Sequence, residues 1–169
     1  MRKYSHVVFT LKNSRYDIFR VTRNNPVGYV APTYPFIEGK EEEILIEELC
    51  DIANEIGLDI IEMNFCGDHV HCIIRSETAE ISRIMMLWKG KTSYVFNRRT
   101  NPSVDDQPVI NSKGTKQGLW AKSYYQKMIE TAEQLKSTII YIKNNRKKHG
   151  LQPLSAKSLE KIEKTIIAV

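Results

Sequence analysis

Two short apolar runs, residues 58–65 and 69–75, are separated only by Cys66, Gly67 and Asp68. Runs of that length, rich in Ile, Val and Phe and broken by a Gly-Asp pair, predict two antiparallel strands joined by a tight turn. A hairpin does not stand alone in water and needs a further strand or a helix against its apolar face. The rest of the chain must therefore build a sheet around it. Within the second strand the period of two puts His69 and His71 on one face and Val70, Cys72 and Ile74 on the other. Two imidazoles so placed can chelate one divalent ion; they equally suit a solvated strand face as a pair of polar side chains.

Residues 4–12 supply a first strand, with Val7, Phe9 and Leu11 toward a core and His6, Val8 and Thr10 on the opposite side. Residues 13–37, with Arg15, Arg20, Arg23 and three prolines, predict a basic loop with a short extra strand around 16–21. Residues 40–56 predict a helix: Glu41, Glu42 and Glu43 suit the positive end of its dipole, Leu45, Leu49, Ile52, Ala53 and Ile56 form a stripe, and Gly57 ends it. Thr78 is expected to cap a second helix over 80–98, with Ile81, Ile84, Met85, Trp88 and Val95 inward and Arg83, Lys89, Lys91, Arg98 and Arg99 largely outward. A long aperiodic loop follows over 100–118, then a fourth strand over 119–129. Thr131 and Gln134 form a capping-box pair that opens a third helix to about Lys148, with Gly150 as its stop. Residues 155–167 predict a terminal helix with Leu159, Ile162 and Ile166 on one side. This order describes an α+β, split βαβ fold, ferredoxin-like or RRM-like, whose antiparallel sheet carries helices on one face plus a tyrosine-bearing helix. One domain is expected over 1–150, followed by a helical tail over 151–169.

At 169 residues the chain suits a single core. No apolar run approaches the roughly 18 residues a membrane helix needs, and Met1–His6 does not lead into a signal-peptide core, so a cytoplasmic protein with no membrane partner is expected. Cys50, Cys66 and Cys72 are odd in number and lack CxxC spacing, which fits reduced, buried thiols. The net charge of +5 is strongly segregated. Residues 38–62 hold ten of the twenty acids and one basic residue, whereas residues 136–148 hold five basic residues and no acid. A one-sided basic surface of this kind makes nucleic acid the leading polyanion partner.

Tyr141 and Asn145 stand four residues apart, on one face of the third helix. A tyrosine there is in isolation most simply a packing residue with a wet hydroxyl. Taken together, however, Asp68-His69-Val70-His71, the segment from Ile81 to Ser93, Leu119-Trp120, and Tyr141-Ile142-Lys143-Asn144-Asn145 resemble the single-tyrosine HUH transposases, the small insertion-sequence and REP-associated enzymes. The resemblance spans roughly residues 4–150 and rests on the four motifs occurring in order. It implies that His69 and His71 are the HUH metal ligands, Asn145 the third ligand, and Tyr141 the nucleophile. Asn145 departs from the commonest pattern, a Gln at this position, and looks like the REP-associated branch; Asn144 is an alternative on the wrong helical phase. Gly67-Asp68 stands where family members often carry Pro-Asp.

The resemblance further implies a cofactor of Mg or Mn, a 5′-phosphotyrosine intermediate, single-stranded DNA with a hairpin as the partner, and a homodimer whose site is completed in cis or in trans. Candidate DNA contacts are Lys12, Arg15, Lys89, Lys91, Lys143 and Arg146. Three other readings compete. A zinc site of Cys66, His69, His71 and Cys72 is opposed by strand alternation, which sends Cys72 away from the histidines. A non-catalytic single-strand or RNA-binding module of the same plan explains the basic surface but not the histidines and tyrosine together. A domesticated relative that cuts dispersed repeats would carry the same residues.

Overall fold

The computed structural model describes residues 2–14, 34–100 and 118–168. The expected strand around 16–21, most of the loop at 100–118, and Arg15 lie outside them. Four strands, β1 (Lys3–Thr10), β2 (Asp59–Phe65), β3 (His69–Ser76) and β4 (Tyr125–Ile129), form one sheet in the order β2-β3-β1-β4, antiparallel throughout. The helices are α1 (Gly39–Glu55), α2 (Ile81–Thr100), α3 (Ala132–Lys148) and α4 (Ala156–Thr165). The architecture is the expected α+β, split βαβ plan.

Alternation along the strands gives the sheet two apolar faces. Val7, Phe9, Val70, Cys72 and Ile74 pack against Leu45 and Leu49 of α1 and Ile81, Met85 and Trp88 of α2. Trp88 fixes that layer: its indole N–H donates to the Leu49 carbonyl at 2.8 Å, and its ring meets Phe9 edge-on. On the opposite face a smaller cluster of Ile61, Ile73, Ile129 and Ile142 lies beneath α3. A register shift between Ile60 and Glu62 in β2 lets Ile60 and Met63, three residues apart, share one face while Ile61 points to the other.

Local chemistry explains the boundaries. Thr131 accepts the Gln134 N–H at 3.1 Å while Gln134 Oε1 accepts the Glu130 N–H at 2.9 Å, so the predicted capping pair works with its return bond one residue earlier. Thr78 is not a side-chain cap; it lies in a 3-10 turn, Thr78–Glu80, that leads into α2. The fourth strand is shorter than expected because the carbonyls of Ala121, Lys122 and Ser123 turn toward the Lys89 ammonium, at 2.5, 3.0 and 3.1 Å, rather than toward β1. The approach bridges back at Trp120, opposite Leu11, where the Leu119 carbonyl accepts the Lys12 N–H and the Ala121 N–H donates to the Thr10 carbonyl, both at 2.9 Å.

The segment beyond Gly150 docks on the same core. Leu154 and Ile162 join the cluster under α1, Lys161 pairs with Asp51, and Ile167 donates to the Ile60 carbonyl at 2.9 Å along the outer edge of β2. Among the described residues no helix is long and apolar enough to cross a membrane.

Candidate active site

β3 turns His69 and His71 toward α3, as alternation predicted, and both are buried. Their rings lie 4.9 Å apart between centroids. Each is held through Nδ1. His69 Nδ1–H donates to the buried carboxylate of Asp68 at 2.6 Å, so Nε2 is the ring nitrogen that a metal would take. His71 Nδ1 stands 3.1 Å from Nε2 of His6, across the sheet on β1. For His71 to offer its own Nε2 to a metal, its Nδ1–H must donate to His6, so His6 completes the orientation of the pair.

α3 brings three side chains over these rings at one per turn: Tyr141, Asn145 and His149. The Tyr141 ring is 5.5 Å from that of His71 and 6.1 Å from that of His6, and His149 is 5.2 Å from His69. Between them Asn145 is 1% exposed, and among the described residues neither its amide nitrogen nor its oxygen has a hydrogen-bond partner. Leaving such a group unsatisfied costs about 1–3 kcal/mol, so its persistence marks a place where something else completes it. Asn64, opposite His71 on β2, donates to the Ile142 carbonyl at 2.8 Å and so ties α3 to the sheet beside the site.

Burial holds the His71 imidazole neutral, with its pKa lowered to about 3; the neighbouring His69, His6, His149 and Lys148 push the same way. His6 is lowered too, by burial and then by Lys127. Neutral imidazoles are the form that ligates metal. Two imidazoles and an unpartnered amide oxygen form a mixed nitrogen and oxygen donor set that fits a divalent cation. Among the described residues no cluster of three His, Cys, Asp or Glu side chains is poised to hold a metal, so a site here would need a different third donor, for which the Asn145 amide is placed. Asn144 is not that donor, since its amide donates to the Ile140 carbonyl on the exposed side of α3. Nor does Cys72 join, because it lies on the other face with its thiol 3.7 Å from the Val7 carbonyl and its pKa raised by burial.

Tyr141 is 42% exposed and lines a cleft of about 450 Å³ together with His6, His71, Tyr125 and Lys127. A larger cavity, about 1,020 Å³, lies away from it between α3, α4 and β2 and is mostly apolar.

The expected DNA contacts fare unevenly. Lys12 is exposed beyond β1. Lys91 pairs with Glu55 on the far face of the sheet, and Lys143 stands 3.6 Å from Glu62 beside the larger cavity. Two placements are corrected. Lys89 is 8% exposed and binds three carbonyls, so it anchors the β4 approach instead of facing outward. Arg146 bonds Glu42 and the carbonyls of Phe65 and Gln152, tying the end of α3 to α1 and the hairpin. Among the described cations, Lys148 lies 5.5 Å from the Tyr141 ring centroid and Lys127 lines the same cleft as Tyr141. Sequence reasoning passed over both, although Lys148 stands at the i+7 position from Tyr141. It also passed over His6, which alternation put on the correct face but only the strand order brings beside His71.

Comparison with known proteins is consistent with this arrangement. A family model described as "Transposase IS200 like" matches residues 27–145. Among solved structures, the chain is similar to a REP-associated tyrosine transposase bound to a REP hairpin, with a TM-score of 0.53 and 14% identity over 89% of this chain and 70% of that one. It is also similar to a candidate transposase from Deinococcus radiodurans, with a TM-score of 0.51 and 16% identity over 86% of this chain and 92% of that one. No curated protein sequence matches.

Proposed function

The chain belongs to the IS200-like transposase family, and from that premise we propose that it cleaves and rejoins single-stranded DNA beside a hairpin through a covalent bond to Tyr141. The observation that carries this reading is the buried, unpartnered Asn145 amide, one turn from Tyr141 on the helix face that meets the two histidines.

In the proposed reaction the Tyr141 oxygen attacks the scissile phosphorus and the bond to O3′ breaks. The 5′ phosphate becomes an ester of tyrosine, and O3′ leaves as a hydroxyl, taking up one proton as the phenol gives one up. Because the ester retains the bond energy, a second 3′-OH can attack it, release Tyr141 and complete strand transfer without ATP. A divalent cation, Mg or Mn, held by His69, His71 and Asn145 would supply Lewis-acid charge to the phosphate oxygens. Asp68 and His6 hold the two imidazoles in their ligating tautomers. Lys148, beside the Tyr141 ring, and Lys127, in the same cleft, offset phosphate charge. The hairpin is assigned by likeness to the REP-associated enzyme, which was solved bound to one. Tyr141 and His71 meet within one chain, which supports chemistry in cis; the proposed homodimer then serves assembly of two DNA ends.

The test uses labelled hairpin DNA from the flanks of the gene, with Mg or Mn and with EDTA. A denaturation-resistant protein–DNA adduct is expected with metal, none with EDTA, and none for Tyr141→Phe. Metal-independent binding with no adduct on any such substrate assigns the chain to the binding-module class instead.

A further inference from the structure

The face of the sheet that carries the histidines is only half covered. α3 lies chiefly over β2 and β3 and reaches Ile129 at the end of β4, while among the described residues Tyr125 and Lys127 of β4 stay exposed and His6 and Val8 of β1 half-buried. The pairing register sets Tyr125 opposite Val8 and Lys127 opposite His6, so these four side chains form one patch. Tyr125 is 52% exposed, and among the described residues no hydrogen bond holds its hydroxyl. Lys127 is also exposed, and among the described residues it pairs with no carboxylate. Across the cleft the wall is the start of α3, where Gln134, Ser137 and Thr138 present an amide and two hydroxyls. Tyr141 and His71 line the same cleft.

An exposed ring on an open sheet, a cation beside it and a polar wall opposite are the parts with which proteins hold one unpaired nucleotide: the base stacks on the aromatic, the phosphate meets the cation, and polar side chains read the base edge. A paired base offers no free face to such a ring, which excludes duplex DNA from this patch. We propose that the open β1–β4 half of the sheet is a nucleotide subsite, with the unpaired base next to the scissile phosphate stacked on Tyr125 and its backbone phosphate on Lys127. This subsite rests on the function proposed above. It lets the protein draw the strand into line with Tyr141 without reading the hairpin itself.

The test is the affinity of the full chain for fluorescein-labelled oligothymidylate of about ten nucleotides, within the site sizes of small single-strand binders, measured by anisotropy. Tyr125→Ala is expected to weaken binding about tenfold, Tyr125→Phe to keep it, and Lys127→Ala to weaken it and flatten its salt dependence. Tyr94→Ala, which removes an equally exposed ring from α2 on the far side of the sheet, is the control and should bind as the unaltered chain does. Binding by Tyr125→Ala within twofold of the unaltered chain, or an equal loss in Tyr125→Phe, overturns the subsite. Photocrosslinking of the unaltered chain to 5-iododeoxyuridine DNA gives a readout independent of any variant's folding: a crosslink to the β4 peptide supports the proposal, and crosslinks only elsewhere overturn it. The adduct assay separates the two ideas. An adduct with no effect of Tyr125 removes the subsite alone, whereas a Tyr125 effect with no adduct keeps the stacking site and removes the transposase chemistry.

Discussion

His6 carries a testable share of the site although nothing in its own strand marks it. If it fixes the ligating tautomer of His71, His6→Ala should weaken Mn binding roughly tenfold, within the 10–100-fold range seen for such outer partners. His6→Gln, which retains an acceptor, should recover part of the loss; isothermal titration of the purified protein checks both. His71 also sets a pH dependence in the metal-free protein. Its imidazole stays neutral in the fold down to about pH 3, while an unfolded chain protonates it near pH 6.5. Between those values the unfolded state binds more protons, so the contribution of this residue is complete above about pH 6.5 and falls as the pH drops. The unfolding free energy from urea titration should therefore decline from pH 7 to pH 4, by a few kcal/mol at most given about 1.4 kcal/mol per unit, and His71→Gln should flatten the decline.

At the level of elements, the α2–β4 connection depends on Lys89. Lys89→Ala strips a cation from three carbonyls and should cost about 3 kcal/mol in urea denaturation. It should leave phosphate contacts unchanged, the opposite of what its place among candidate DNA contacts implied. The clue lay in its spacing, since Met85, Lys89, Thr92 and Phe96 are all buried on α2 at intervals of four, three and four. A basic residue on such a stripe needs an acceptor, and the acceptors arrive from a strand approach some thirty residues away. That separation hid the pairing from a local reading. The elements that were legible, the β2–β3 hairpin, α1 and the Thr131 cap, are those whose determinants lie within a few residues of one another. Tyr141 and Asn145 were visible for the same reason, as were His69 and His71: a period of two or of four places them without any knowledge of what they face.

Considered as a whole, the molecule has no spare C-terminal segment. Ending the chain at Gly150 would expose the ground beneath Leu154 and Ile162, and with about 1.5–3 kcal/mol for each fully buried side chain the truncated protein should lose at least ~3 kcal/mol and melt lower in calorimetry. Strand order was likewise beyond local inspection: β1 comes first in the chain yet pairs on one side with β3 and on the other with β4. That arrangement also governs when a cutting function can arise during synthesis. The first strand waits for the hairpin and then for β4, and Tyr141, the proposed nucleophile, is carried by α3, which follows all of them. On the proposed reading, a nascent or broken chain that stops short of α3 has both histidines and no means of breaking a strand. Topology thus acts as a safety catch, keeping the genome safe from unfinished copies of the protein.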